Sequence, residues 1–168
     1  MFTTSRPRDK FYILFLISFI PTILFFDSVA LYPEHLIPTP LQSLQIFYHS
    51  TFHDPLLINR PPWFHFFSLV ELFYQFPAAV YIMYLLKKRS YKAAPHTLVW
   101  ATVAAGTTAT CVYEFAVSDE MDNGMKWALG GMYGCYGLIF TVMAGDMFCR
   151  ISRTLRECAR VEDDRKML

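Results

Sequence analysis

Four times along this chain, about twenty consecutive residues pass with a single acidic side chain and no Lys or Arg. The stretches are Phe11–Leu31, Trp63–Leu86, His96–Val117 and Trp127–Cys149. A helix needs about 20 mostly apolar residues to cross the hydrocarbon core, where backbone amides find partners only within the helix itself. The pattern predicts an all-α membrane protein, a bundle of four transmembrane helices spanning residues 11–31, 63–86, 96–117 and 127–149. Composition agrees: with 54% hydrophobic and 17% aromatic residues, the chain carries more aromatic surface than one 168-residue soluble domain can hide. Net charge is only +1, and the basic residues sit in short clusters beside apolar runs, so nucleic acid is excluded as a partner.

Those clusters set the orientation. Thirteen of the fifteen Lys and Arg fall before the first stretch, between the second and third, or after the fourth; Arg60 and Lys126 are the exceptions. By the positive-inside rule, both termini face the cytosol and the 32–62 and 118–126 loops face the lumen or exterior. The chain then divides into a cytosolic N-terminus (1–10), a four-helix domain (11–149) and a cytosolic basic tail (150–168). Basic residues followed by an apolar run resemble a signal peptide, but the run is too long for one and no small-residue cleavage site follows; it reads as an uncleaved first helix. Arg165-Lys166-Met167-Leu168 resembles a dibasic retrieval signal for the endoplasmic reticulum. The cysteines, Cys111, Cys135, Cys149 and Cys158, make no disulfide framework.

The first loop, Tyr32–Pro62, holds six prolines, with Leu44, Phe47, Tyr48 and Phe52 at helical spacing between them. A short amphipathic helix on the lumenal side is expected there. Pro21 and Pro77 lie inside apolar stretches; each frees a backbone carbonyl and should kink its helix. Gly106, Gly130, Gly131, Gly134, Gly137 and Gly145 are expected to let helices approach closely. His49, His53 and Asp54 offer three ligands without a cysteine or a fourth donor, so no metal or cofactor is expected; Asp54, before Pro55, suits a structural turn role instead.

Carboxylates within a membrane are costly and point to function. At about 1.5 Å per residue, Asp27 lies roughly 6 Å, Glu71 roughly 12 Å and Glu114 roughly 5 Å below the lumenal ends of their helices. Antiparallel packing gathers them in one half of the bundle, with Gln75 a turn from Glu71 and with Tyr133 and Tyr136 at similar depth. Acids sharing a low-dielectric site share protons. Such a pair can hold an ammonium group among aromatic faces, or protonate an alkene and steady the cation. The structural alternative is that these acids serve backbone freed by Pro21 and Pro77. Asp146, four residues before Arg150, reads as half of a salt bridge.

Four segments then resemble one family: Ile20-Pro21-Thr22-Ile23-Leu24-Phe25-Phe26-Asp27, Phe52-His53-Asp54-Pro55-Leu56-Leu57, Pro61-Pro62-Trp63-Phe64 and Glu71-Leu72-Phe73-Tyr74-Gln75-Phe76-Pro77. They are similar to the sigma-2 receptor family, part of the wider group containing emopamil-binding protein, the sterol Δ8–Δ7 isomerase. Tyr133-Gly134-Cys135-Tyr136 resembles the tyrosine pair of the family's pocket. The resemblance implies an endoplasmic-reticulum homodimer whose sterol- or amine-binding pocket opens to the bilayer. It assigns Asp27 to the ligand amine, Glu71 to the partner acid, Asp54 to a structural role, and Tyr48, Gln75, Tyr133 and Tyr136 to the pocket lining. The chain departs from the family at Phe19, where the receptor has histidine, at Gly134 and Gly137, where it has a proline-bearing segment, and at Phe67, where the isomerase has histidine.

Three functions follow. The first is an intracellular membrane receptor or regulator for sterols or amphiphilic amines, linked to sterol homeostasis or transport. The second is a sterol or terpenoid isomerase or cyclase, with Glu71, Asp27 and Glu114 as catalytic acids. The third is a trafficking or quality-control partner of a larger membrane protein. The enzyme reading demands that Glu114 line the same pocket as Glu71, since an isomerase removes a proton as well as adding one.

Overall fold

The computed structural model describes residues 7–32, 35, 37–119 and 121–166. Arg6 and the Met167-Leu168 end of the dibasic motif lie outside them. The described residues form helices and turns, without a strand. The helices are α1 (Pro7–Phe25), α2 (Thr39–Phe52), α3 (Pro55–Asn59), α4 (Pro62–Val70), α5 (Phe76–Lys87), α6 (Ala93–Val117) and α7 (Asn123–Lys166). Proline sets several starts: Pro7, Pro55 and Pro62 open α1, α3 and α4, at the position whose amide has no helical partner anyway. Three residues without the freedom of glycine end helices in the left-handed region: His53 after α2, Arg60 after α3 and Arg89 beyond α5.

Three helices are long and apolar enough to cross a membrane: Pro7–Val29, Pro62–Lys87 and Asn123–Lys166. The sequence pattern predicts four. α6, with 25 residues, has the length, but its five threonines and Glu114 lower its hydropathy. It packs along α7.

Pro21 lies within α1, which continues to Phe25 before a 3-10 turn, Asp27–Leu31. At Pro77 the chain does something the sequence does not announce. Between α4 and α5 it widens into a π turn over Glu71–Gln75, closed by the Phe76 amide on the Glu71 carbonyl. Inserted π turns cluster at functional sites, because an extra residue per turn re-aims the side chains that follow.

The main core joins Phe15, Leu16 and Phe19 of α1, Ile82 of α5, Trp100 of α6 and Phe140 and Met143 of α7. Trp100 is its centre. The ring is fully buried, meets Phe19 and Phe140 edge-on at 5.9 and 5.5 Å, and donates from Nε1 to the Gln75 carbonyl at 2.9 Å. That bond ties α6 to the π turn. The glycine expectation fails at most positions. A Cβ on Gly137 would meet Thr108 at 3.5 Å, but a Cβ on Gly106, Gly130, Gly131, Gly134 or Gly145 would meet nothing within 4 Å. At those five positions there is open space where a side chain would stand.

One end of the bundle is ionic. Asp146, on α7, accepts from Arg8 Nη1 at 2.7 Å and from the Tyr12 hydroxyl at 3.1 Å, and pairs with Arg150 Nη2 at 2.6 Å. Arg150 Nη1 also donates to Asp9 at 2.6 Å. The network clamps the start of α1 to the middle of α7, so the two run antiparallel.

Candidate functional site

At the opposite end three carboxylates converge from three separate elements. Asp27 opens the 3-10 turn after α1, Glu71 opens the π turn, and Asp54 precedes α3. Glu71 lies within reach of the Asp27 charge, and Asp27 within reach of that of Asp54. The buried Cys111 thiol, on α6, lies within reach of all three. Asp27 and Glu71 are half-buried; Asp54 is wholly buried.

Asp54 is held on every side. Its Oδ1 accepts from the Leu56 amide at 2.9 Å, the capping bond that starts α3. Its Oδ2 accepts from the hydroxyls of Tyr48 and Tyr133, each at 3.1 Å. Burial pushes the Asp54 carboxyl up from the usual carboxylate range, while the Leu56 amide and the two phenols oppose that shift. Burial and then the Asp54 charge push the Tyr48 phenol up as well. Rings wall the group: Phe26 and Phe52 pack on Tyr48 at 5.9 and 4.9 Å, and Phe115 meets Tyr133 edge-on at 5.0 Å. Beside Tyr48, a cavity of about 10 Å³ bounded by Phe26, His49 and Leu57 has room for about one water.

Gln75 closes the π turn, one turn from Glu71. The residue is buried, yet neither atom of its amide has a hydrogen-bond partner among the described residues, and the same holds for the buried hydroxyl of Ser28, next to Asp27. Buried amides and hydroxyls are nearly always satisfied, so these groups are free to meet a water or a ligand's polar atom. Likewise, among the described residues no basic side chain pairs with Asp27, Asp54 or Glu71; the ion pairs lie at the other end and in the tail.

Other expected site residues fall elsewhere. Tyr136 packs against Phe15, Phe19 and Phe140 at the edge of the main core, at 6.0, 5.8 and 6.4 Å. Glu114 is half-buried near the end of α6. Ser28, Cys111 and Trp100 were not singled out from sequence. Ser28 had a signal in being adjacent to Asp27; Trp100, far along the chain from the π turn it supports, had none.

The family model for the EXPERA (expanded EBP superfamily) domain matches residues 40–147, from α2 to beyond the middle of α7. The chain belongs to that superfamily. The match takes in Asp54, Glu71, Gln75 and Tyr133; Asp27 lies before it. Among curated proteins, sigma intracellular receptor 2 of Homo sapiens is 38% identical over 79 residues, which is 47% of this chain and 45% of that protein. The Xenopus tropicalis receptor is 33% identical over 87 residues, 50% of this chain and 51% of that one. These matches thus span about half the length of the receptors. Efficient mitochondria targeting-associated protein 19 of Schizosaccharomyces pombe is 27% identical over 154 residues, covering 90% of this chain and 81% of that protein.

Proposed function

We propose that this EXPERA protein is an intracellular membrane receptor for a sterol or an amphiphilic amine, bound between Asp27, Glu71 and Gln75. The observation that carries the reading is a set of three converging carboxylates with no basic partner among the described residues, rimmed by aromatic rings. A protonated amine supplies the missing charge, and tyrosine and phenylalanine faces add cation–π attraction. The unsatisfied Gln75 amide and Ser28 hydroxyl would orient a polar head such as an amine or a sterol hydroxyl. Asp54 stays structural, its oxygens committed to Leu56, Tyr48 and Tyr133.

The same reading takes α6 as a fourth span, puts α2 on the lumenal side with both termini cytosolic, and sets the protein in the endoplasmic-reticulum membrane, as a homodimer. The similarity to sigma intracellular receptors supports it. The isomerase alternative requires a second acid–base group in the same pocket, the role it gives to Glu114 near the end of α6. The trafficking alternative rests on the fission-yeast relative, whose name speaks of mitochondrial targeting and which matches most of the chain.

The test is binding of a tritiated amphiphilic amine to purified protein, with sterols that copurify identified by mass spectrometry. Asp27→Asn is expected to weaken amine binding by about a hundredfold, the scale of a lost buried charge-assisted contact. An unchanged affinity in Asp27→Asn overturns the reading. Incubation with a Δ8 sterol in heavy water separates the enzyme: deuterium entering the sterol with the wild type, and not with Glu71→Gln, would establish turnover.

A further inference from the structure

The ionic end of the bundle has an opening that the acid site does not use. Between α1 and α7 lies an open groove of about 710 Å³. Its floor is apolar, with Phe11 and Val142 exposed along it and Gly145 next to Asp146 of the ionic clamp. Its rim is basic: Arg8, Arg150 and Arg153.

The rim cations differ in what they have left to give. Arg150 is committed to Asp9 and Asp146. Arg8 gives Nη1 to Asp146, but its side chain remains 70% exposed. Arg153 is exposed and enters no ion pair among the described residues. Among the described residues Asp146 is the only acid lining the groove, and it already receives Arg8, Tyr12 and Arg150, so its charge is neutralised. The groove therefore offers two unsatisfied guanidinium edges above an apolar trough, where the apolar part of α7 gives way to its charged part.

We propose that this groove holds an anionic phospholipid, its phosphate between Arg153 and Arg8 and one acyl chain along Phe11 and Val142. Guanidinium forks match phosphate oxygens in pairs, and charge complementarity selects an anionic over a zwitterionic headgroup. Gly145 fits this occupant. A Cβ there meets no atom within 4 Å, so the position is open and its side chain, if present, would enter the trough. The site is separate from the acid cluster and does not depend on what binds there.

The experiment is native mass spectrometry of the purified full chain, released from micelles containing equal phosphatidylinositol and phosphatidylcholine. Wild type is expected to keep phosphatidylinositol about tenfold more than phosphatidylcholine. Gly145→Leu fills the trough, and Arg153→Glu reverses the freest cation; each should cut the phosphatidylinositol adduct about fivefold. Leucine also favours the helix, so Gly145→Leu should melt no lower than wild type. Asp27→Asn should leave the adduct intact, which separates this site from the receptor reading. Equal retention of both lipids overturns the proposal, as does an adduct indifferent to Gly145→Leu. Displacement by free inositol phosphate as readily as by intact lipid would show that no acyl chain is seated, and overturns it too.

Discussion

Replacing Asp54 by alanine tests whether the acid site is held together from within. The side chain is wholly buried and accepts three hydrogen bonds: one from Leu56 and one each from Tyr48 and Tyr133. Losing the cap of α3 costs about 1 kcal/mol. Leaving two half-buried phenols without an acceptor costs about 1–2 kcal/mol each. Against this stands relief from burying a carboxyl, which lowers the total. A net loss of about 3 kcal/mol is expected, or roughly 6–12 °C in melting temperature for a chain of this size. The assay is thermal unfolding in detergent, followed by intrinsic fluorescence. Asp54→Asn keeps an acceptor for the Leu56 amide and should lose about half as much. The reasoning also fixes a coupling. In a double-mutant cycle with Tyr133→Phe, the second mutation should cost about 1 kcal/mol less on the alanine background, because its partner is already gone. Additive effects, or an Asp54→Ala protein melting within about 2 °C of wild type, would refute the account of Asp54 as the pin joining α2, α3 and α7.

Three further outcomes follow from the same contacts. Because burial raises the Asp54 carboxyl, the unfolded chain gives up its proton first, so this group's contribution to stability is complete below the ordinary value of 3.8 and falls as pH rises from there toward the raised folded value. Melting temperature measured upward from that pH should decline less steeply in Asp54→Asn than in wild type; parallel curves would contradict the shift. Trp100→Phe removes the bond to the Gln75 carbonyl and leaves a cavity among Phe19 and Phe140, for a loss of about 2 kcal/mol, read by chemical denaturation. Arg89→Gly relieves a left-handed backbone at φ 51° and should raise the melting temperature by about 2–4 °C, with no change if that geometry is relaxed on its own.

Hydropathy made the helical, membrane-embedded character of the chain readable, because lipid permits little besides helices and the apolar runs are long. α6 is the least apolar of the four stretches, and its threonines spend their hydroxyls on carbonyls of their own helix, as Thr102 does on Leu98 and Thr110 on Gly106. Depth counting along each helix, together with the family resemblance, placed Asp27 and Glu71 near each other. Tyr136, three positions after Tyr133, shares its approximate face, yet the added turn carries its ring down among Phe15, Phe19 and Phe140. The π turn was invisible for a different reason: Pro77 marks a missing amide, but whether the chain answers with a kink or an extra residue depends on partners such as Trp100, distant in sequence. The glycines misled because a small residue permits close contact without requiring it.

α7 has a mechanical consequence. At about 1.5 Å per residue, its 44 residues make a rod of roughly 66 Å, about twice the hydrocarbon thickness. The part beyond Cys149 alone projects roughly 25 Å. Because the helix is unbroken from the Tyr133–Asp54 bond to Lys166, it can act as a lever pivoted near the ionic clamp, one arm reaching the acid site and the other the charged tail. A tilt of about 10° that followed ligand entry would swing the far tip by roughly 4 Å, turning a buried rearrangement into a displacement that soluble proteins can read.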